Sequence, residues 1–192
     1  MEVLSRLFGS ETKVKIMRLF LFNPERVFNT KDIGSRIKAS SSNVRKQILL
    51  LLKTGLIKRR VLNKKNGRGF ILNSQFGYLL PLQNFLINIE PFHTKEIVKR
   101  ISRLGNIKLL IIAGVFIQEP ESRVDMLIVG DHVKKGTLEK TMKTLESEIG
   151  KELRYAYFST EDFKYRFSMF DKLTRDILDY PHRKVLNRLG IV

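Results

Sequence analysis

Six of the side chains between residues 41 and 53 have types that suit contacts with a polyanion. Small hydroxyl and amide groups come first and long cationic groups follow; they are Ser41, Ser42, Asn43, Arg45, Lys46 and Lys53. Hydroxyls and amides bind phosphate oxygens at close range, whereas Lys and Arg reach phosphates or the edges of bases. We therefore expect this stretch to contact double-stranded DNA.

The apolar residues of the same stretch indicate how those groups are presented. They form one helical stripe, which consists of Val44, Ile48, Leu51 and Leu52. Because each residue turns an α-helix by about 100°, Ser42, Lys46 and Lys53 fall on the face opposite that stripe, with Asn43 and Arg45 beside it. The pattern predicts a narrow, polar and basic helix face, as a helix in the major groove requires.

A second group of cations surrounds a turn signal at Asn66-Gly67. The flanking runs 56–62 and 70–72 have strand character, and Asn-Gly between such runs favours a hairpin because both positions adopt positive φ readily. The cations at the expected tip are Lys64, Lys65 and Arg68. We expect them to reach a neighbouring phosphate or the minor groove.

The net charge supports a polyanionic partner. The chain has 36 Lys and Arg against 19 Asp and Glu, which leaves +17. Residues 1–90 hold 17 of the cations and 5 of the acids, whereas residues 91–192 hold 19 and 14. A basic protein that binds no nucleic acid could have the same net charge. The excess of cations in the first half, however, coincides with the expected contacts.

Residue types for other chemistry are scarce. The chain has no Cys, which excludes disulfides and thiol catalysis and suits a cytoplasmic location. His93, His132 and His182 are widely spaced, and no two of them lie at the i, i+3 or i, i+4 spacing of a metal site on a helix face. Gly67-Arg68-Gly69 lacks the strand-loop-helix context of a phosphate loop. We expect no cofactor and no metal ion.

The hydropathy pattern predicts a soluble protein. The longest apolar run, 109–117, is far shorter than the roughly 20 residues that a membrane helix needs. Charged residues interrupt the first residues of the chain, which argues against a signal peptide. We expect no membrane partner.

Capping signals divide the first half into three helices. Ser10 can cap a helix over 11–22, and Asn29 or Thr30 can cap a second that ends near Ala39. Ser40 to Ser42 then open a third helix, which ends at Thr54-Gly55. The expected hairpin follows directly.

This succession, over about residues 10–73, resembles the winged helix-turn-helix of bacterial and archaeal transcription regulators. The segment 41–48, followed by 53–57, looks like their recognition helix and strand entry. The resemblance implies that the third helix enters the major groove and that the hairpin, or wing, contacts the DNA backbone.

An apolar connector follows at 76–86, and we expect it to be helical after Pro81. It is expected to pack between domains, with a dimer stalk as the alternative. Leu49 and Leu50 extend the apolar stripe of the third helix beyond one face, so they are expected to pack against this linker or a partner chain.

The second half alternates helices and apolar strands. Helices are expected from His93 to about Arg103, over 134–149, from Thr160 and over 171–178. Strands are expected over 109–116, 124–130 and 153–158. Such alternation predicts an α/β layer around a small sheet.

Two short motifs in this half carry a second resemblance. Gly114-Val115 ends the first expected strand, and Arg123-Val124-Asp125-Met126 begins the next. This arrangement resembles the nucleotidyltransferase-like fold of minimal nucleotidyltransferases and DNA polymerase beta relatives. Active members carry Gly-Ser or Gly-Gly at the first place and two acids at the second, which hold two Mg²⁺ ions.

The chain departs from that pattern at several positions. Arg123 stands where the first acid is expected, Val115 replaces the small residue, and 154–158 has no third carboxylate. Only Asp125 remains, and one acid cannot assemble a two-metal site. The resemblance therefore implies a degenerate, inactive copy of the fold, and some other α/β domain remains the alternative.

Taken together, the sequence predicts an α+β protein with three parts. Residues 1–75 are expected to form a winged helix-turn-helix, 76–92 a helical linker, and 93–192 a nucleotidyltransferase-like α/β domain. The expected function is that of a DNA-binding transcription regulator, whose C-terminal domain serves sensing, assembly or partner binding. A homodimer and an unknown effector or protein partner are both open.

Two other functions remain as alternatives. One is a nucleotidyltransferase that modifies an RNA or protein partner, as antitoxin-type relatives of the fold do. The other is an RNA-binding or protein-scaffolding module.

Overall fold

A computed structural model describes most of the chain as an α+β protein. The described ranges are 2–61, 68–88, 94–119 and 121–191. Within these ranges, no helix has both the length and the apolar character needed to cross a membrane.

The chain divides into two compact units. Unit 1 comprises residues 1–91 together with 144–152. Unit 2 comprises residues 92–143 and 153–192.

The helices of unit 1 begin where the local sequence provides a cap. They are α1 (Glu2–Phe8), α2 (Glu11–Phe22), α3 (Thr30–Ile37) and α4 (Ser41–Lys53). The Ser10 side chain accepts a hydrogen bond from the Lys13 N–H, and Asn29 and Asp32 form a reciprocal capping box at α3. The three helices expected from the capping signals are confirmed, although α3 ends at Ile37 rather than near Ala39.

An antiparallel hairpin follows α4. Strand β1 (Ile57–Val61) pairs with β2 (Arg68–Leu72) in a register that places Ile57 opposite Leu72. Phe28, in the segment between α2 and α3, forms an isolated bridge with Phe70 of β2. The expected short extended piece around Phe28 therefore attaches the hairpin to the helices.

Residues of the expected linker pack in the core of unit 1. Helix α5 (Leu79–Gln83) continues into a π-helical turn, Asn84–Asn88. Leu86 in this turn is fully buried in the cluster that also contains Phe20 and Ile48. The helical character expected after Pro81 is confirmed, because Pro81 lies in the first turn of α5 and the turn tolerates its missing N–H.

Arg18 of α2 is buried in unit 1. Its Nε donates a hydrogen bond to the Leu86 carbonyl at 3.1 Å, and its Nη1 donates to the Glu148 carbonyl at 3.2 Å. Burial lowers the pKa of this guanidinium to about 10, against an opposing effect of the Glu148 charge. Nearby, a Cβ on Gly150 would come within 2.6 Å of the Leu19 nitrogen, so the segment 144–152 packs closely on α2.

Unit 2 is built around a four-stranded mixed sheet. Its strands are β3 (Asn106–Ile112), β4 (Met126–Asp131), β5 (Tyr155–Phe158) and β6 (Arg183–Asn187). They lie in the order β5, β4, β3, β6; β4 and β5 are parallel, and the other pairs are antiparallel.

Helices accompany these strands along the chain. They are α6 (Thr94–Ser102), α7 (Lys135–Ile149, whose last residues from Thr144 belong to unit 1), α8 (Thr160–Ser168) and α9 (Lys172–Asp179). Leu109 and Ile111 pack with Phe163 of α8 and Ile177 of α9 on one face. Leu110 and Ile112 alternate with them along β3 and are also buried, so the central strand is covered on both faces.

Two of the differences between unit 2 and the sequence expectation concern β3 and β6. The strand expected over 109–116 begins earlier, at Asn106, and ends at Ile112, because Gly114–Phe116 forms a 3₁₀ turn in which Gly114 has φ +51°. Strand β6 was not expected, since Arg183–Asn187 is short and half-polar and acquires its strand conformation by pairing with β3.

Candidate nucleic-acid interface

A tight turn between α3 and α4 sets the direction of α4. Lys38 ends α3 in the left-handed conformation with φ 54°, and Ser40 caps α4 by accepting a hydrogen bond from the Asn43 N–H. Gly34 permits the close approach, because a Cβ there would lie 3.2 Å from the Ala39 carbonyl oxygen. The Ala39 N–H in turn donates to the Gly34 carbonyl at 3.0 Å.

Helix α4 has one buried face and one exposed polar face. Val44, Ile48 and Leu51 are buried as the spacing predicts, Leu52 is half-buried, and Gln47 is buried beside them. Every residue of α4 that was expected to contact DNA is exposed: Ser41, Ser42, Asn43, Arg45, Lys46 and Lys53. The small residues occupy its first turn, which contains no acid.

Leu49 and Leu50 also lie on the exposed side of α4. Leu49 is 55% exposed and Leu50 is 40% exposed. Neither side chain is buried by the described residues, and the expectation that they pack against the linker or a partner chain stays a prediction.

The hairpin adds further cations to unit 1. Arg68, expected at the tip, is exposed at the start of β2. Lys58, Arg59 and Arg60 of β1 are exposed as well, and they are not among the contacts expected from the sequence. Lys64, Lys65 and the Asn66-Gly67 turn lie outside the described residues. The three missed cations stand consecutively in the sequence, and that run was the signal available.

The cations of α4 and the hairpin have no partners within the described residues. None of their side chains forms an ion pair, a hydrogen bond or a ring contact there; they are Arg45, Lys46, Lys53, Lys58, Arg59, Arg60 and Arg68. The sequence explains why, because no Asp or Glu occurs between Asp32 and Glu90. This surface therefore combines exposure with uncompensated positive charge.

The cations of unit 2 contrast with them. Several pair with carboxylates: Lys108 with Asp131, Arg123 with Asp176, Arg154 with Asp125, Arg166 with Asp171, and Arg175 with Asp179. A paired cation contributes little net field. The cations of α4 and the hairpin, by contrast, pair with no carboxylate of the described residues.

The second motif is brought together around Asp125. Its side chain is fully buried, with Oδ1 accepting from the Val115 N–H at 2.9 Å and Oδ2 accepting from the Arg154 N–H at 2.8 Å. Gly114 packs against the same carboxylate, since an added Cβ would collide with Oδ1. Both oxygens of Asp125 are thus engaged in holding backbone.

The remaining residue of that motif also has a structural contact. The Arg123 Nε lies 2.9 Å from Asp176 Oδ2 of α9, so it attaches the entry of β4 to that helix. Among the described residues, no group of three or more His, Cys, Asp or Glu could hold a metal ion. His132 and His182 lie in the described part, whereas His93 lies outside it.

The geometry therefore offers two arrangements of different character. The first is an exposed basic surface on α4 and the hairpin, and the second is the buried carboxylate of Asp125 with its backbone donors. Comparison of this chain with family models, with curated proteins and with solved structures found no match.

Proposed function

We propose that this chain is a DNA-binding transcription regulator and that unit 1 is a winged helix-turn-helix. The observation that carries the proposal is the set of exposed cations on α4 and the hairpin, which lack any partner in the described part of the chain. Unpaired surface cations release counterions from DNA on binding, and this release supplies much of the affinity for duplex.

In the proposed complex, α4 lies in the major groove. The small side chains of Ser41, Ser42 and Asn43 allow its first turn to approach the DNA, and the N–H groups of that turn favour phosphate. Arg45 and Lys46 are one turn further along and are long enough to reach base edges or phosphates. Lys53, at the end of the helix, would contact the phosphate backbone of the DNA.

The hairpin serves as the wing in this proposal. Lys58 and Arg60 share one face of β1, because side chains alternate along a strand. Arg68 is opposite Val61 in the register, at the end nearest the connecting segment. These cations would contact phosphates beside the groove that α4 occupies.

Duplex DNA is favoured over duplex RNA by the shape of the reading element. An α-helix fits the major groove of B-form DNA, whereas the major groove of A-form RNA is too deep and narrow for side chains to read. An RNA-binding or scaffolding module would instead show preference for single strands or no affinity for duplex.

The proposal is tested by titrating the full chain with duplex DNA at several salt concentrations. We expect log K to fall linearly with log salt, with a slope of about −0.9 for each phosphate contact. Lys46→Ala should weaken binding to the preferred sequence by about 1 to 3 kcal/mol if this residue reads a base. A flat salt dependence would contradict duplex binding.

The matched control is Lys95→Ala, which removes an exposed lysine from α6 of unit 2. It lowers the net charge by the same amount as Lys46→Ala. It therefore distinguishes the loss of a local contact with DNA from the loss of one positive charge. Equal losses in the two variants would remove Lys46 from the contact surface. Sequencing of DNA recovered with the protein would identify the operator.

For unit 2, we propose a nucleotidyltransferase-like fold that does not catalyse and that serves sensing, assembly or partner binding. The support is the engagement of both Asp125 oxygens by backbone N–H groups. We expect no Mg²⁺-dependent transfer of label from a nucleoside triphosphate to RNA or protein. Transfer that disappears in Asp125→Ala would favour the enzymatic alternative instead.

A further inference from the structure

The corner between α8 and α9 exposes a run of large apolar side chains in unit 2. Tyr165 is 65% exposed, Met169 63% and Phe170 74%, and Phe167 is also exposed. Apolar side chains that cluster on a surface, rather than occurring singly, mark a place where another molecule binds.

Phe170 has a backbone conformation that favours glycine, so the stability of the fold does not account for a phenylalanine at this position. Phe170 has φ +53° and follows the end of α8, where its N–H donates to the Phe167 carbonyl and the Asp171 N–H donates to the Arg166 carbonyl. Glycine is the usual residue at this position of such a helix end, because a side chain is strained there. Glycine would form the same two hydrogen bonds, so the turn has no need of an aromatic ring.

An apolar cleft lies beside the projecting ring. It has a volume of about 620 Å³, and Phe167, Phe170 and Leu178 supply apolar parts of its lining. The corner therefore presents a projecting aromatic side chain and an apolar recess on the same surface. A two-fold interface requires such self-complementarity, since each copy contributes the same patch.

The charges at the cleft also fit a second copy of this chain. Its lining includes two arginines and two aspartates, paired as Arg166 with Asp171 at 3.2 Å and Arg175 with Asp179 at 3.6 Å. Two copies that each carry +17 repel one another over most approaches. A patch whose charges cancel avoids that repulsion, and its mixture of signs lets arginines of one copy face aspartates of the other.

We propose that the α8–α9 corner is a two-fold interface between two copies of this chain, in which Phe170 of each copy enters the cleft of the other. The proposal concerns unit 2 and does not depend on DNA binding by unit 1.

The test is the mass of the full chain in solution without nucleic acid, measured by sedimentation equilibrium over a wide range of concentrations. We expect a reversible dimer with twice the 22.4 kDa chain mass. Phe170→Gly should raise the dimer dissociation constant at least about thirtyfold, as removal of a central aromatic side chain does. At concentrations low enough for both proteins to be monomeric, the same variant should unfold at an unchanged or higher temperature, because glycine relieves the backbone strain.

The matched control is His132→Gly, which replaces another exposed residue of unit 2 with positive φ, here 59°. It relieves the same kind of strain without removing an apolar side chain from the α8–α9 corner, and it should leave the dimer dissociation constant unchanged. A wild-type chain that stays monomeric at every concentration would overturn the proposal. A monomer is the result expected if the patch instead binds a different protein. A Phe170→Gly variant that dimerises as well as the wild type would also overturn it.

Discussion

The carboxylate of Asp125 accepts a hydrogen bond from the Val115 N–H at 2.9 Å, and this contact joins the turn after β3 to the start of β4. The same carboxylate accepts from the Arg154 N–H, at the start of the segment that leads into β5. One buried side chain therefore fixes the entry or exit of three neighbouring strands.

Asp125→Ala should lower the free energy of unfolding by about 3 kcal/mol, because the two backbone N–H groups lose their acceptor. Urea denaturation of the full chain measures the change. Glu139→Ala, an exposed acid of α7, is the control and should change stability by less than about 0.5 kcal/mol. Similar values for the two variants would mean that Asp125 does not hold the strand ends.

Gly114→Ala should also destabilise unit 2, since the added Cβ collides with Asp125 Oδ1 and the residue has φ +51°. The loss should be about 2 kcal/mol or more. The double variant with Asp125→Ala should lose less stability than the sum of the two single-variant losses, because the Asp125 carboxylate that the added Cβ collides with is then absent. Full additivity would contradict this contact.

Gly136→Ala is the matched control for that substitution. A Cβ at Gly136 meets no atom within 4 Å, and the residue lies in the first turn of α7. It should stabilise the chain by roughly 0.5 kcal/mol, because alanine favours the helix.

Asp131 makes stability depend on acid pH. Hydrogen bonds from the Thr160 N–H and hydroxyl, and then the interaction with Lys108, lower the pKa of Asp131 from 3.8 to about 2. A depressed folded-state pKa stabilises the protein above the unfolded value, so this contribution is complete above about pH 4 and is lost as the pH falls to 2.

Asp131→Asn should therefore reduce the unfolding temperature at neutral pH and reduce it less at pH 2. Thermal unfolding of both proteins across this pH range measures the difference. If the unfolding temperatures of the two proteins differ by the same amount from neutral pH to pH 2, Asp131 does not contribute in this way.

The double variant Lys58→Ala and Arg60→Ala tests the hairpin in DNA binding. If both residues contact phosphates, the slope of log K against log salt should become shallower by roughly 2, and by the same amount on operator and on unrelated duplex. A change limited to the operator would mean that these side chains read sequence instead. An unchanged slope would place β1 away from the DNA.

The sequence predicted the parts of the fold whose signals are local. Ser10, Asn29 and Ser40 each stand before a helical pattern and cap α2, α3 and α4 as their side-chain chemistry requires. The exposed face of α4 followed in turn from the spacing of Val44, Ile48 and Leu51, because that spacing fixes which residues point away from the core.

The parts that were missed depend on contacts distant in sequence. Strand β6 exists through its pairing with β3, more than 70 residues earlier, and no pattern within Arg183–Asn187 indicates that partner. The 3₁₀ turn at Gly114 depends on Asp125, which lies beyond the loop. The exposure of Lys58, Arg59 and Arg60 reflects that no element in the described ranges covers these side chains, which a strand pattern cannot show.

Unit 1 is built from two separate stretches of the chain, so it cannot be excised as one continuous segment. A fragment that stopped after the π-helical turn would lack 144–152, so Arg18 would lose the carbonyl of Glu148 and α2 would lose the backbone that Gly150 packs against Leu19. A guanidinium surrounded by apolar side chains would then lack one of its acceptors. Such a fragment should therefore be a less stable polypeptide, and weak DNA binding by it would reflect its folding rather than its recognition surface.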